Sequence, residues 1–176
     1  MIVVSSSPRC GSSLCMQTLD LLGVPMAAPK FLVEHTDIRE FNPNGFYEIN
    51  SEQGVTDERY KGKAIKLFGA QLWRTKKELI DKLIFIDRNK EDAIKSYDKV
   101  RKHLPHSDYS SEAIYEANKI FIEKSIDEKT MKITLEKVRE NPTNFVSELI
   151  SYLGINPSEE QINNATKNIK TCQSQA

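Results

Sequence analysis

The chain has 176 residues, with 25 basic and 25 acidic side chains and a formal net charge of zero. Its length and its 39% hydrophobic content favour one domain, residues 1–176, with a hydrophobic core. The charge balance argues against nonspecific nucleic-acid binding, and no apolar run is long enough for a signal sequence or a membrane span, so we expect a cytoplasmic protein.

Strands and helices are predicted to alternate along the sequence. The apolar runs expected to form strands are residues 2–6, 63–68, 83–87 and 131–135. The segments expected to form helices are residues 12–22, 51–60, 76–82, 89–103, 110–126, 141–153 and 158–169. This alternation predicts an α/β fold with three α/β/α layers and a central, mostly parallel sheet.

The first predicted strand leads into a polar loop that precedes a helix. Main-chain N–H groups at such a helix N-terminus, together with the helix dipole, favour an anion. Arg9 adds a positive charge, and Ser12 and Ser13 add hydroxyl donors. The pattern predicts a site for phosphate or sulfate esters. The residues of this predicted site are Pro8, Arg9, Cys10, Gly11, Ser12 and Ser13.

The loop differs from a Walker A motif, in which a glycine, four residues and Gly-Lys-Ser/Thr follow one another. Ser6 stands where the first glycine would be, and Ser12 rather than lysine follows Gly11. The basic residue, Arg9, precedes the glycine instead. The sequence therefore resembles a P-loop but argues against an ordinary ATP or GTP site.

The three cysteines, Cys10, Cys15 and Cys172, form neither a CxxC pair nor a cluster with metal-ligand spacing. An odd number of cysteines without a signal sequence favours reduced thiols. A catalytic thiol at Cys10 is an alternative, but no His or Asp stands at an informative distance, so we interpret Cys10 as a packing residue. We expect no metal site.

A second anion-binding pair follows the third predicted strand. Arg88 stands at its carboxyl end, the edge at which open α/β sheets bind ligands. Ser96 comes eight residues later on the next predicted helix, a little over two turns. A guanidinium and a hydroxyl in this arrangement can hold one phosphate. Together with the first loop, they predict a ligand that carries two separated phosphates.

Five segments, in order, resemble the P-loop sulfotransferases and especially their small bacterial members. Residues 8–14 are similar to the 5'-phosphosulfate loop of that family, and residues 88–96 are similar to its 3'-phosphate element. The other similar segments are residues 42–48, 62–66 and 135–154. The resemblance implies a P-loop sulfotransferase fold, 3'-phosphoadenosine 5'-phosphosulfate (PAPS) as donor and 3'-phosphoadenosine 5'-phosphate (PAP) as product.

The resemblance also implies roles for single residues. Arg9 would stabilise charge on the departing 5'-phosphate, and Arg88 with Ser96 would hold the 3'-phosphate. Lys66 is a candidate for contact with the sulfuryl group that moves. The expected acceptor is a hydroxyl or amine of a small molecule or a glycan; its identity and the oligomeric state stay open.

A general base must take the proton of the acceptor. Glu48 is the first candidate because its segment matches the family, and His35 is the second because of its imidazole. Phe46, Tyr47 and Trp73 are candidates for adenine stacking, although such aromatics are more often core residues.

Some features depart from the family pattern. Cys10 replaces the usual serine, Asn89 and Lys90 replace Asp-Pro, and nothing in the sequence resembles the basic, glycine-rich C-terminal segment of the cytosolic animal members. The alternatives are therefore a nucleotide-binding P-loop protein without turnover and, disfavoured by the missing lysine, a nucleotide or nucleoside kinase.

Overall fold

The computed structural model describes residues 1–28, 45, 47, 49, 54–104 and 108–173. Four strands form a parallel sheet in the order β2-β1-β3-β4. The strands are β1 (Ile2–Ser5), β2 (Ala64–Leu67), β3 (Lys82–Asp87) and β4 (Met131–Thr134). The helices in the described part of the chain are α1 (Ser12–Leu21), α2 (Gly69–Arg74), α3 (Lys90–Arg101), α4 (Ser111–Glu123), α5 (Leu135–Glu140), α6 (Pro142–Leu153) and α7 (Glu159–Gln173).

The two central strands bury both of their faces, because successive side chains of a strand point in opposite directions. On one face, Val4 and Ile84 pack against residues of α1, α5, α6 and α7. On the other face, Val3 and Phe85 pack with residues of α2 and α4. Helices therefore cover both faces of the sheet, as the apolar sequence of β3 predicts.

The carboxyl ends of the strands meet at one edge of the sheet, since all four strands are parallel. Strand β1 lies between β2 and β3, with Ser5 in register with Leu67 and Phe85. The loop after β1 therefore lies between the residues that follow β2 and β3. This order brings the first loop close to Arg88.

Helix ends follow the signals in the sequence. Asn89 caps α3, where its Oδ1 accepts a hydrogen bond from the N–H of Asp92. Pro142 is the first residue of α6, and Gly154 follows that helix with a φ of 66°. These features confirm the predicted start of α3 and both predicted ends of α6. Asn89 bonds an N–H that the helix leaves unpaired, Pro142 has no N–H to leave unpaired, and Gly154 readily adopts the left-handed conformation at the helix end.

The predicted helix over residues 76–82 is wrong. Only Lys77–Leu79 forms a short 3₁₀ helix, and Lys82 already belongs to β3. In the described part of residues 51–60, the helical structure is limited to the 3₁₀ helix Glu58–Tyr60. Both segments are too short to form regular α-helical hydrogen bonds.

Helix α2 was not predicted from the sequence, and its first residue, Gly69, has a low helix propensity. In the structure Gly69 lies against the main chain of Asn118 on α4, and a Cβ at position 69 would lie 2.4 Å from the Asn118 carbonyl oxygen. The Gly69 N–H also donates to Asn118 Oδ1 at 2.9 Å. Tertiary packing thus explains a glycine that local propensity disfavours.

Candidate functional site

Two left-handed residues bend the loop between β1 and α1. Arg9 has a φ of 66°, the one positive φ of a non-glycine residue in the described part of the chain, and Gly11 has a φ of 102°. A Cβ at Gly11 would lie 2.8 Å from Leu135 Cδ1 at the start of α5. Only glycine meets both constraints without strain.

Helix α1 begins directly after this bend, with Gly11 as its N-cap. Glycine has no side chain to bond the first N–H groups of the helix, so these donors are available to an anion. Lys66 on β2 is buried, and its Nζ donates to Ser13 Oγ at 3.1 Å. The Lys66 Nζ also lies 5.1 Å from the ring centroid of Phe68. A cation from the neighbouring strand therefore lies at the N-terminus of α1.

The structure brings the two predicted phosphate elements into direct contact. Arg9 Nε donates to Ser96 Oγ at 3.2 Å. Arg88 Nη1 donates to the main-chain oxygen of Arg9, also at 3.2 Å. The first loop is consequently in direct contact with Arg88 and with Ser96, in the middle of α3.

Positive charges lie close together in this site. Burial and the charge of Arg88 lower the pKa of Arg9 below its ordinary value. Burial and the same charge also lower the pKa of Arg139 on α5. Because like charges disfavour one another's ionised forms, an anion among these side chains would relieve the repulsion.

Three consecutive serines at the end of β1 and the start of the loop are buried. Ser5 Oγ donates to the Leu67 carbonyl at 2.7 Å, and Ser7 Oγ donates to the Tyr115 carbonyl at 3.0 Å. Ser6 Oγ is different, because no atom of the described residues bonds it. An unpartnered buried hydroxyl costs about 1–3 kcal/mol, so Ser6 is an unfavourable feature of this loop.

Cys10 packs with Ala93 and Tyr115, away from solvent. Burial, followed by the nearby charge of Asp87, raises the pKa of Cys10 to about 12. Its Sγ lies 3.7 Å from the Pro8 carbonyl, a weak hydrogen bond within the loop. A thiol in this state is protonated near neutral pH, which favours a packing role over a nucleophilic one.

Three residues at this edge were not singled out from the sequence: Asp87, Tyr115 and Lys119. Asp87 Oδ1 accepts hydrogen bonds from the Arg88 N–H at 2.9 Å and from the Tyr115 hydroxyl at 3.1 Å. Lys119 Nζ pairs with Asp87 Oδ2 at 3.0 Å. Burial alone lowers the pKa of Lys119, but the hydrogen bond and charge of Asp87 outweigh it and raise that pKa.

The sequence offers one signal for this group. Asp87 directly precedes Arg88 at the end of a buried strand, where polar residues tend to meet ligands. Tyr115 and Lys119 lie four residues apart on α4 and so share a helix face. Nothing local connects that face with Asp87, because the pairing depends on how α4 packs.

The two candidate general bases, Glu48 and His35, lie outside the described residues. Tyr47, next to Glu48, is a core residue whose hydroxyl donates to Asp20 Oδ2 on α1 at 2.7 Å. Gly45 accepts a hydrogen bond from Gln17 Nε2 at 3.2 Å. Two described residues near Glu48 are therefore fixed to α1.

Of the other two aromatic candidates, Phe46 lies outside the described residues. Trp73 is half exposed, and its ring centroid lies 6.2 Å from that of Phe121. Lys124 Nζ lies 5.8 Å from the Trp73 centroid. Trp73 thus pairs with α4, and none of its described contacts involves the loop.

The described residues include no group of three or more His, Cys, Asp or Glu side chains that could hold a metal ion. None of the helices within the described ranges is long and apolar enough to cross a membrane.

Comparison with known proteins identifies solved structures with a similar fold. No protein-family model and no curated protein sequence matches the chain. One similar solved structure is retinol dehydratase in complex with androsterone and inactive cofactor PAP, with a TM-score of 0.59 and 12% identity. A second is retinol dehydratase in complex with retinol and PAP, with a TM-score of 0.56 and 10% identity.

In both comparisons, 96% of this chain is covered but only 64% of the other. The chain thus spans less than two thirds of the length of these structures. At such low identity the similarity concerns the fold alone. It confirms the expected fold class, an α/β protein with a central parallel sheet between helices, as in these structures.

Proposed function

We propose that this protein binds PAPS and transfers its sulfuryl group to a hydroxyl or amine of a small-molecule or glycan acceptor, with PAP as the second product. The observation that carries the proposal is the convergence of Arg9, Arg88 and Ser96 with the N-terminus of α1. This convergence occurs in a fold whose solved examples include complexes with PAP. The site offers cations and donors for two phosphates.

The loop suits the 5' end of the donor. The N–H groups of residues 11–13 would bind phosphate oxygens, as helix N-termini commonly do, whereas the Cys10 N–H already donates to the Ser7 carbonyl at 3.3 Å. The hydroxyls of Ser12 and Ser13 would add donors at the same place. The buried hydroxyl of Ser6 supports this fit, because a ligand oxygen would give it the partner that the described residues do not provide.

Arg88 and Ser96 suit the 3'-phosphate. Ser96 now accepts a hydrogen bond from Arg9. We propose that the 3'-phosphate takes over this contact and leaves the Arg9 guanidinium to interact with the 5' end. The 3'-phosphate would then be the group by which the protein distinguishes PAPS from ATP.

The chemistry of transfer requires charge stabilisation more than covalent participation of the protein. When bound, PAPS supplies an activated sulfuryl group joined through oxygen to the 5'-phosphate. Arg9 would stabilise the negative charge that develops on that bridging oxygen as the bond breaks. Lys66, which is held by Ser13, would offset charge on the group in transit.

The proton of the acceptor needs a base. We assign this role to Glu48, with His35 as the alternative. Glu48 comes first because its segment, residues 42–48, resembles a segment of the sulfotransferase family.

Binding is tested by titrating the protein with PAP, AMP or ATP with Mg²⁺ while measuring thermal stability, which a specific ligand raises by mass action. We expect PAP to bind more tightly than AMP, because AMP lacks the 3'-phosphate. Arg88→Ala should weaken PAP binding about 10- to 100-fold and remove this preference. Arg59→Ala is the matched control, since Arg59 is exposed and paired with Asp57. A preference for ATP with Mg²⁺ would contradict the proposal.

Turnover is tested with radiolabelled PAPS and a panel of hydroxyl and amine acceptors. Glu48→Gln should lower the transfer rate by about 100-fold or more and leave PAP binding unchanged. Glu159→Gln on the exposed start of α7 serves as the control. A loss of rate in His35→Ala but not in Glu48→Gln would assign the base to His35. PAP binding without transfer to any acceptor would indicate a binding protein.

A further inference from the structure

We infer that Tyr115 and Asp87 form a positioning link between the loop after β1 and Arg88, and that selectivity for the 3'-phosphate depends on the Tyr115 hydroxyl. The inference rests on the proposed function, because it concerns how the two phosphate elements act together. Neither residue is assigned to contact the ligand.

Tyr115 is attached to the loop through its main chain and its ring. Its carbonyl accepts the hydrogen bond from Ser7 Oγ at 3.0 Å. Its side chain is 3% exposed and packs against Cys10. The position of α4 therefore depends on the loop, and the ring keeps a fixed place beside it.

The hydroxyl end of Tyr115 reaches the main chain around Arg88. It lies 3.1 Å from Asp87 Oδ1 and 3.3 Å from the Arg88 carbonyl oxygen. Asp87 Oδ1 also accepts the Arg88 N–H at 2.9 Å. The one proton of the Tyr115 hydroxyl serves one of these two oxygens at a time or is shared between them. Together with the bond from the Arg88 N–H to Asp87, it restrains the main chain at Arg88 and thereby the point from which the guanidinium extends.

The negative charge of Asp87 must be offset by a positive charge, since it would otherwise weaken the binding of an anion near Arg88. An isolated carboxylate beside a phosphate site would oppose binding. Lys119 Nζ lies 3.0 Å from Asp87 Oδ2, and both side chains are about a quarter to a third exposed, at 30% and 27%. Lys119 thus offsets the Asp87 charge, which leaves the charge of Arg88 to act on the ligand.

The test compares affinities for PAP and AMP in Tyr115→Phe, which keeps the buried ring and removes only the hydroxyl. We expect PAP affinity to fall about five- to tenfold and AMP affinity to stay within about twofold. Adding Tyr115→Phe to Arg88→Ala should cause no further loss, because the link acts through Arg88.

Tyr152→Phe is the matched control. The Tyr152 hydroxyl bonds Leu83 at the amino end of the same strand, with oxygen distances of 3.0 Å to the Leu83 carbonyl and 2.9 Å to the Lys129 carbonyl. Its removal should lower thermal stability and leave the ratio of PAP to AMP affinity unchanged. An equal change of that ratio in both variants would overturn the inference, because it would reflect general loosening of β3.

Asp87 gives a second readout. Asp87→Asn keeps an oxygen that can accept from Tyr115 and from the Arg88 N–H but removes the charge that pairs with Lys119, so it is combined with Lys119→Gln. In that double variant PAP selectivity should largely persist, whereas Asp87→Ala combined with Lys119→Gln should reduce it. An unchanged ratio of PAP to AMP affinity in Tyr115→Phe, whether neither affinity falls or both fall equally, would overturn the inference but not the proposed function. Equal binding of PAP and AMP by the unmodified chain would overturn the proposed function, and the inference with it.

Discussion

Polar groups at the amino ends of the parallel strands differ in their hydrogen bonding from those at the carboxyl ends. At the amino edge, the ammonium group of Met1 donates to the Leu79 carbonyl at 2.8 Å and pairs with Asp81. Tyr152 bonds main-chain groups of Leu83 and Lys129 nearby. Each of these polar groups has a hydrogen-bond or ion-pair partner within the protein, so the amino edge is satisfied without a ligand.

At the carboxyl edge, unfavourable features accumulate. Arg9 has a left-handed main chain and lies against a second arginine, Arg88. Ser6 keeps a buried hydroxyl without a partner among the described residues. Such features persist when the surrounding structure enforces them, and they concentrate at ligand sites. The contrast agrees with the proposed anion site at the carboxyl edge.

The largest effect is expected from Gly11→Ala. Alanine at a φ of 102°, with its Cβ 2.8 Å from Leu135 Cδ1, should lower the free energy of unfolding by about 3 kcal/mol. It should also abolish PAP binding, because the bend at the start of α1 would shift. Gly62→Ala is the control: its φ is 72° and nothing lies within 4 Å of the added Cβ. Chemical denaturation that shows equal losses for both variants would refute the packing argument.

Ser6→Ala should have a smaller effect, with opposite signs for stability and binding. Loss of an unpartnered buried hydroxyl should raise the free energy of unfolding by up to about 1 kcal/mol and weaken PAP binding about fivefold. Ser5→Ala should instead lower stability by about 1 kcal/mol, since Ser5 bonds Leu67, and should leave binding unchanged. Denaturation and calorimetric titration measure both quantities. If Ser6→Ala is less stable than the unmodified chain, the Ser6 hydroxyl has a hydrogen-bond partner, as the hydroxyls of Ser5 and Ser7 do.

The smallest effect concerns alkaline stability. The Cys10 thiol has an unfolded pKa near 9.0 and a folded pKa of about 12. Between these values the folded state holds a proton that the unfolded state has released, so stability falls as pH rises from about 9 to about 12. Below pH 9 this contribution is fully present. Urea unfolding at about pH 8 and about pH 10 should show a shallower decline for Cys10→Ser than for the unmodified chain. The same decline in both would mean that Cys10 is more accessible than its packing indicates.

Sequence patterns were sufficient for most of the sheet and its main helices. The apolar run of β3 and the Asn89 cap of α3 are local signals that act over a few residues. Helix α2 was missed because its reason for existence lies in α4, where the Asn118 main chain approaches Gly69. A contact between residues so far apart in the chain produces no pattern in the sequence around either residue.

The candidate site shows the same division. Arg9 and Arg88 could be selected because each follows a strand, and parallel strands bring such positions together. The direct contact of Arg9 with Ser96 could not be foreseen, because it depends on a side-chain rotamer and on the left-handed bend. Tyr115 could not be foreseen either, since its role depends on the depth at which α4 packs.

The contact between Gly69 and Asn118 has a consequence for substitution tolerance. Main chain meets main chain there, so the closest approach of α2 and α4 depends on the absence of a side chain at position 69. The rest of that interface includes buried side chains such as Leu72 and Ile122, where a change of size can be met by repacking of other side chains. Position 69 is the exception, because any larger residue would act as a wedge and push outward the turn of α4 that carries Tyr115.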